Sequence, residues 1–133
     1  MTPSQGLADT SVFIAAESGR PLRFESLPDE LRVSVITVAE LEAGVLAAQS
    51  IAARAARLRT LERAMALEPL TVDAAAASAW ARLRVELHGA GRRVNVNDLW
   101  IAAVAIANGL PVVSQDDDFA VLAELGLLTV ISV

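Results

Sequence analysis

Asn97-Asp-Leu-Trp-Ile-Ala-Ala-Val-Ala-Ile-Ala-Asn108-Gly109 runs directly into Leu110-Pro-Val-Val-Ser114, and that into Gln115-Asp-Asp-Asp118. The first piece predicts a helix opened by Asn97-Asp98 and stopped at Asn108-Gly109, because glycine tolerates the left-handed turn that ends helices. The second is short, apolar and rich in valine, which predicts a strand over Leu110–Ser114. Acids follow where that strand ends. A helix over Asp118–Leu125 closed by Gly126, then a last strand over Leu127–Val133, complete the segment. Strands alternating with helices argue for an α/β fold whose parallel sheet is covered on both faces.

The same alternation extends toward the N-terminus. Gly6–Ala16 predicts a short strand ending near Asp9 and a helix capped by Thr10 or Ser11. Gly19, Pro21 and Pro28 mark an irregular connection. Leu31–Ile36 has strand character, and Thr37 can cap a helix from Val38 to about Ala48. Ile51–Leu67 is spaced for a helix, Pro69–Val72 for a short strand, and Asp73 caps a helix running to about His88. Gly89–Arg93 breaks the chain before the segment quoted above. A length of 133 residues suits one domain over 1–133.

Composition removes several kinds of chemistry. With no cysteine there is no disulfide, no thiolate nucleophile and no thiolate-bound zinc. With no lysine there is no Schiff base and no phosphate-loop lysine. The single histidine, His88, excludes a histidine-rich metal site and reads most simply as a helix-end residue. Hydrophobic residues make up 54%, yet the longest unbroken apolar run, Leu99–Ala107, is far short of the roughly 20 residues of a membrane span. Met1–Gly6 has neither the basic region nor the apolar run of a secretion signal, so the expected compartment is the cytoplasm. A net charge of −5 is unusual for a protein that grips phosphates.

In parallel α/β sheets, sites gather beyond the carboxyl ends of the strands. Asp9 stands where the first strand ends, and Ser114 with Asp116–Asp118 where a later one does. Glu40 falls in the first turn of the helix after the second strand, and Asp98 in the first turn of the quoted helix. Each acid has an ordinary explanation alone: Asp9 or Asp98 as a helix cap, Asp116–Asp118 as a solvated loop, Glu40 as an exposed helix residue. Helical phase does not separate Glu40 from Glu42, since both flank the stripe of Val38, Leu41 and Val45. Their joint placement, four segments delivering carboxylates to one sheet edge, is the specific feature.

Asp9-Thr-Ser-Val-Phe-Ile, Ser34-Val-Ile-Thr-Val-Ala-Glu40-Leu-Glu-Ala-Gly44, Asn97-Asp98-Leu-Trp-Ile-Ala-Ala103 and Val112-Val-Ser-Gln-Asp116-Asp-Asp118-Phe119 follow the order of PIN domains. The sequence resembles in particular the VapC toxins of type II toxin–antitoxin systems. The likeness covers nearly the whole chain and is weakest across Arg20–Leu31 and Ile51–Leu67. It implies a PIN-like three-layer α/β/α sandwich with a mainly parallel central sheet, and an endoribonuclease that cuts cellular RNA. It places Asp9, Glu40, Asp98 and Asp116 on the family's four acidic positions and Asp118 on an additional one. Ser114 stands where the family usually has threonine, and both supply a hydroxyl. It further implies a homodimer neutralised by a small antitoxin, whose groove Pro21–Leu31 and the helix Val38–Ala48 would line.

The chemistry of such a set is dictated by charge. Two carboxylates about 4 Å apart repel by roughly 4 kcal/mol at an effective dielectric near 20. They stay ionised together only beside a cation; otherwise one takes up a proton. Mg²⁺, or Mn²⁺ in its place, favours all-oxygen ligands and activates water without a histidine or lysine base. On this reading Asp9, Asp98 and Asp116 hold the principal ion and Asp118 assists a second. Glu40 orients or deprotonates the water, or joins a second ion, while Thr10 and Ser114 support the carboxylates. Arg92 and Arg93, just before Asp98, are the expected RNA contacts, whereas Arg54, Arg57, Arg59 and Arg63 read as a solvated helix face. Trp80 and Trp100 read as core or subunit-contact residues.

Other readings fit less well. A receiver domain needs a late lysine, and a haloacid phosphatase needs Asp-x-Asp at the first strand, where Asp9 is followed by Thr10-Ser11. The remaining alternative is a catalytically inactive PIN-like module that binds RNA or protein.

Overall fold

Four short strands, β1 (Gln5–Ala8), β2 (Glu30–Arg32), β3 (Val112–Ser114) and β4 (Val130–Ser132), pair in the order β2-β1-β3-β4, every pairing parallel. This computed structural model describes residues 3–133, so the first two residues of the expected domain lie outside the described residues. Parallel neighbours need crossover connections, here supplied by helices. They are α1 (Thr10–Ser18), α2 (Val35–Ala47), α3 (Ile51–Met65), α4 (Ala74–Ala90), α5 (Val96–Ala107) and α6 (Ala120–Glu124).

Register explains why both faces are covered. Leu7, Val112 and Val130 are aligned across the sheet, as are Val113, its partner Ala8 and Ile131. Successive strand residues face opposite ways. Leu7 and Val112 accordingly join the large core cluster with α4, α5, Phe119 and Leu122, while Ala8 and Val113 join Val12 of α1 and Val133. The three-layer α/β/α arrangement follows. Phe119, Leu7, Ile101 and Leu122 are among the largest fully buried side chains, and burying a residue of that size contributes about 1.5–3 kcal/mol. α5 is buried along Leu99 and Ile101–Ala105 and forms the centre of the larger core. Trp80 of α4 and Trp100 of α5, both half-buried, stack with ring centroids 4.9 Å apart.

Several boundaries differ from the sequence reading, each for a local reason. Ser34, in extended conformation, is the cap of α2, its Oγ accepting the Thr37 N–H at 3.3 Å. The strand expected over Leu31–Ile36 therefore ends at Arg32. Thr37 is a buried residue inside the helix rather than its cap, and Glu40 falls in the second helical turn. Pro69–Val72 gives only a single parallel bridge, Ser34 to Leu70. α4 runs to Ala90 and ends at Gly91, whose φ of 64° suits glycine. α6 begins at Ala120 rather than Asp118. Among the described residues no helix is long and apolar enough to cross a membrane.

The strand order fixes where a site can form. From β1 the chain moves outward to β2, then returns past β1 to β3 and on to β4. The crevice between the carboxyl ends of β1 and β3 is the point at which that direction reverses, the place where open parallel sheets bind ligands. β1 leads straight into Asp9; β3 ends on Ser114.

Candidate active site

Asp9 is 3% exposed at the head of α1, yet its side chain makes no capping bond to that helix. Its two oxygens are taken by serines instead. Ser11 Oγ donates to Oδ1 at 2.6 Å and Ser114 Oγ donates to Oδ2 at 2.9 Å. Each hydroxyl in turn accepts a backbone N–H of the loop after β3: Gln115 to Ser11 at 2.9 Å, Asp116 to Ser114 at 3.2 Å. The carboxylate is thus bracketed by two hydroxyls that are themselves aimed by consecutive peptide groups. Burial pushes Asp9 up from 3.8 to about 6, against the lowering effect of the two serine bonds, and the charge of Asp116 adds to the rise.

The loop that aims the serines also carries the next acids. Ser114 Oγ lies 3.2 Å from Asp116 Oδ1, and that oxygen accepts the Asp118 N–H at 3.2 Å. Asp118 is exposed, and desolvation of its carboxyl followed by the nearby charge of Asp116 raises its pKa.

Glu40 reaches the site from α2. Thr10 Oγ1 donates to Glu40 Oε1 at 2.7 Å and lies 3.0 Å from Thr37 Oγ1. Since the Thr10 proton is directed at the carboxylate, the buried Thr37 hydroxyl donates to Thr10. This contact distinguishes the two glutamates: Glu40 is half-buried and held, Glu42 exposed.

Asp98 completes the set. The cap of α5 is Asn95, whose Oδ1 accepts the Asn97 N–H at 2.9 Å, so Asp98 is not needed to cap the helix. It is half-buried and pushed from 3.8 to about 7, first by burial, then by the charges of Asp118, Asp9, Glu40 and Asp116. Carboxylates from three other segments therefore bear on one carboxyl group. The donors are all oxygens, the set that suits Mg²⁺ or Mn²⁺, and their mutual repulsion is what a divalent ion relieves. Among the described residues no three acids or imidazoles stand so placed that they could hold an ion as they are.

The arginines divide by role. Arg57 Nη1 donates to the Gly44 carbonyl at 2.7 Å and Arg54 Nη2 to the Ala48 carbonyl at 3.4 Å, so these two tie α3 to the end of α2 rather than forming a purely solvated face. Arg92 pairs with Glu124 at 3.2 Å on the surface, and Arg93 lies beside it along a cleft of about 580 Å³.

The PIN domain family matches residues 7–125 of this chain. The chain belongs to the PIN-domain family. It is 57% identical over 121 residues to ribonuclease VapC5 of Mycobacterium tuberculosis (strain ATCC 25618 / H37Rv), covering 91% of this chain and 90% of that protein. It is 44% identical over 132 residues to ribonuclease VapC4 of the same strain, covering 98% of this chain and 100% of the relative. Among solved structures, a chain of VapBC-5 from Mycobacterium tuberculosis, a member of the VapBC family of toxin–antitoxin systems, superposes with a TM-score of 0.91. That match is at 50% identity over 98% of this chain and 100% of that one.

Within this PIN domain, two polar residues of the site escape the sequence reading as site residues. Ser11 and Thr37 each stand at an expected helix start with a short polar side chain, and each reads there as a cap. The sequence signal open to a second reading is the run Asp9-Thr10-Ser11 itself, since two hydroxyls beside one acid exceed what a single cap needs.

Proposed function

We propose that the protein is a Mg²⁺- or Mn²⁺-dependent endoribonuclease, the toxin of a toxin–antitoxin module, whose active site is Asp9, Glu40, Asp98 and Asp116. The carrying observation is the position of Asp98, half-buried where the charges of Asp118, Asp9, Glu40 and Asp116 all act on it. Relatives 57% and 44% identical to this chain are named ribonucleases, and the solved structure at 50% identity is of a toxin–antitoxin system.

The residues divide the work. Asp9, Asp98 and Asp116 would hold the principal ion, with Asp118 toward a second. A bound divalent ion supplies charge neutralisation and lowers the pKa of water. Ser11 and Ser114 fix Asp9, so its carboxylate does not have to be reoriented during the reaction. Thr10 occupies Glu40 Oε1 and leaves Oε2 to take the proton of the attacking water. The water oxygen bonds phosphorus, one P–O ester bond breaks, and the departing oxygen is protonated from solvent.

The same reading places RNA, a small antitoxin and a second copy of the chain as partners in the cytoplasm. Its antitoxin surface is supported by apolar side chains left in water on the segments named for it and beside them: Phe24 at 73%, Leu46 at 75% and Ile51 at 91% exposure. The test is incubation of purified protein with total cellular RNA and Mg²⁺ or Mn²⁺, with a chelator control, followed by mapping of the cut ends. Discrete metal-dependent ends are expected. Intact RNA under every condition would leave a module that binds without cutting.

A further inference from the structure

The chain has eleven arginines and no lysine, and some of them are committed to structure. Arg54 and Arg57 serve α2 and the residue that follows it, and Arg23 donates to the Ser132 carbonyl. Others gather where α4 ends and α5 begins. Arg84 and His88 stand one turn apart on the same face of α4, and Arg92 and Arg93 follow just past its end. All four line the cleft of about 580 Å³, whose apolar floor includes Leu87 and Leu99, and among the described residues no acid lines it. Of this group only Arg92 is in an ion pair among the described residues. In a protein of net charge −5 this is a basic cleft in which Arg84, His88 and Arg93 have no ion-pair partner among the described residues.

Two features tie it to α5, the helix that carries Asp98. Leu99, in its floor, is the neighbour of Asp98 on α5. Arg84 is laid over Trp80, its guanidinium carbon 5.8 Å from the ring centroid, and Trp80 stacks on Trp100 of that same helix. The guanidinium is therefore linked to α5 through a pair of stacked indoles.

We infer that this cleft binds the phosphate backbone of single-stranded RNA flanking the bond to be cut, with Arg84, His88 and Arg93 as contacts beside Arg92. The inference rests on the ribonuclease reading for its ligand. Guanidinium groups suit phosphate oxygens, and the backbone contact is one that carries affinity without base sequence.

The test is binding of oligouridine RNA, in chelator and in an Asp98→Asn background so that the strand stays intact. Arg84→Ala/Arg93→Ala is compared with Arg59→Ala/Arg63→Ala, which removes equal charge from exposed positions on α3. The cleft pair is expected to weaken binding about tenfold or more and to flatten the salt dependence by about 0.7 for each phosphate that is no longer gripped. The α3 pair should stay within about twofold, and both should melt with the parent. Equal weakening by the two pairs, or none by the cleft pair, would overturn the inference. So would polyglutamate that displaces the RNA and itself depends more strongly on Arg84 and Arg93. Cleavage by the wild-type chain is read separately. Its absence beside cleft-dependent binding counts against the ribonuclease reading, and its presence beside unaltered binding counts against the cleft.

Discussion

Ser11 Oγ stands 2.6 Å from Asp9 Oδ1 while accepting the Gln115 N–H at 2.9 Å, so one hydroxyl links the ends of β1 and β3 through the carboxylate between them. Ser114 does the same for the other oxygen from the opposite strand. Asp9 is thereby aimed by both strands that meet at the switch point.

Ser11→Ala removes one of those two donors. A hydrogen bond to a charged group contributes about 1.5–3 kcal/mol, so RNA cleavage should fall roughly ten- to a hundredfold. KM should change little. Steady-state kinetics on a defined RNA separate the two, and Ser11→Thr, which restores the hydroxyl, should recover part of kcat.

The metal-free protein should lose stability as pH rises. Asp9 and Asp98 have folded values of about 6 and about 7 against an ordinary 3.8, so the folded state holds protons more tightly than the unfolded one. That contribution is complete below about pH 4, and it is lost as pH climbs through the folded values. For the buried Asp9 it is on the order of 3 kcal/mol. Melting temperature measured in chelator should therefore decline between mildly acidic and mildly alkaline buffer, over and above the other carboxylates, and added Mg²⁺ should flatten the decline.

Asp98→Asn separates stability from function. Removing a carboxylate that four others repel should raise the metal-free melting temperature at alkaline pH and reduce cleavage at least about a hundredfold. Calorimetric scans beside a cleavage assay test both at once; a variant that cuts normally would remove Asp98 from the site.

Thr37→Val exchanges a buried hydroxyl for a methyl of similar size. Loss of the bond to Thr10 should cost about 1 kcal/mol and loosen Glu40, lowering cleavage several-fold with the metal affinity unchanged. Thr37→Ser should retain most of the wild-type rate.

Gly6 supports the switch point from below. A Cβ there would lie 2.6 Å from Val113 Cγ2 and 3.1 Å from Pro28 Cγ, so Gly6→Ala should destabilise by about 1–3 kcal/mol in a denaturant titration.

How far the sequence can be read follows from these contacts. The alternation of elements, both sheet faces and the acids at strand ends are legible because each depends on local periodicity. Glu40 cannot be told from Glu42, because what distinguishes them is Thr10, thirty residues away in the chain. Ser11 reads as a cap because its bond to the Gln115 N–H exists only once β1 and β3 are paired. The strand expected over Leu31–Ile36 is too long for a different reason. Its valine and isoleucine favour strands, but the Ser34 hydroxyl captures the Thr37 N–H and starts a helix within the run.

The gathered carboxylates, as a site made to hold a divalent ion, are tested most directly by titrating metal-free protein with Mn²⁺ in a calorimeter, in buffers of different ionisation enthalpy. Near neutral pH, Asp98 is partly protonated, so binding to the wild type should release protons, and Asp98→Asn should bind much more weakly with less release. Undetectable Mn²⁺ binding, or equal binding and proton release by the variant, would contradict it.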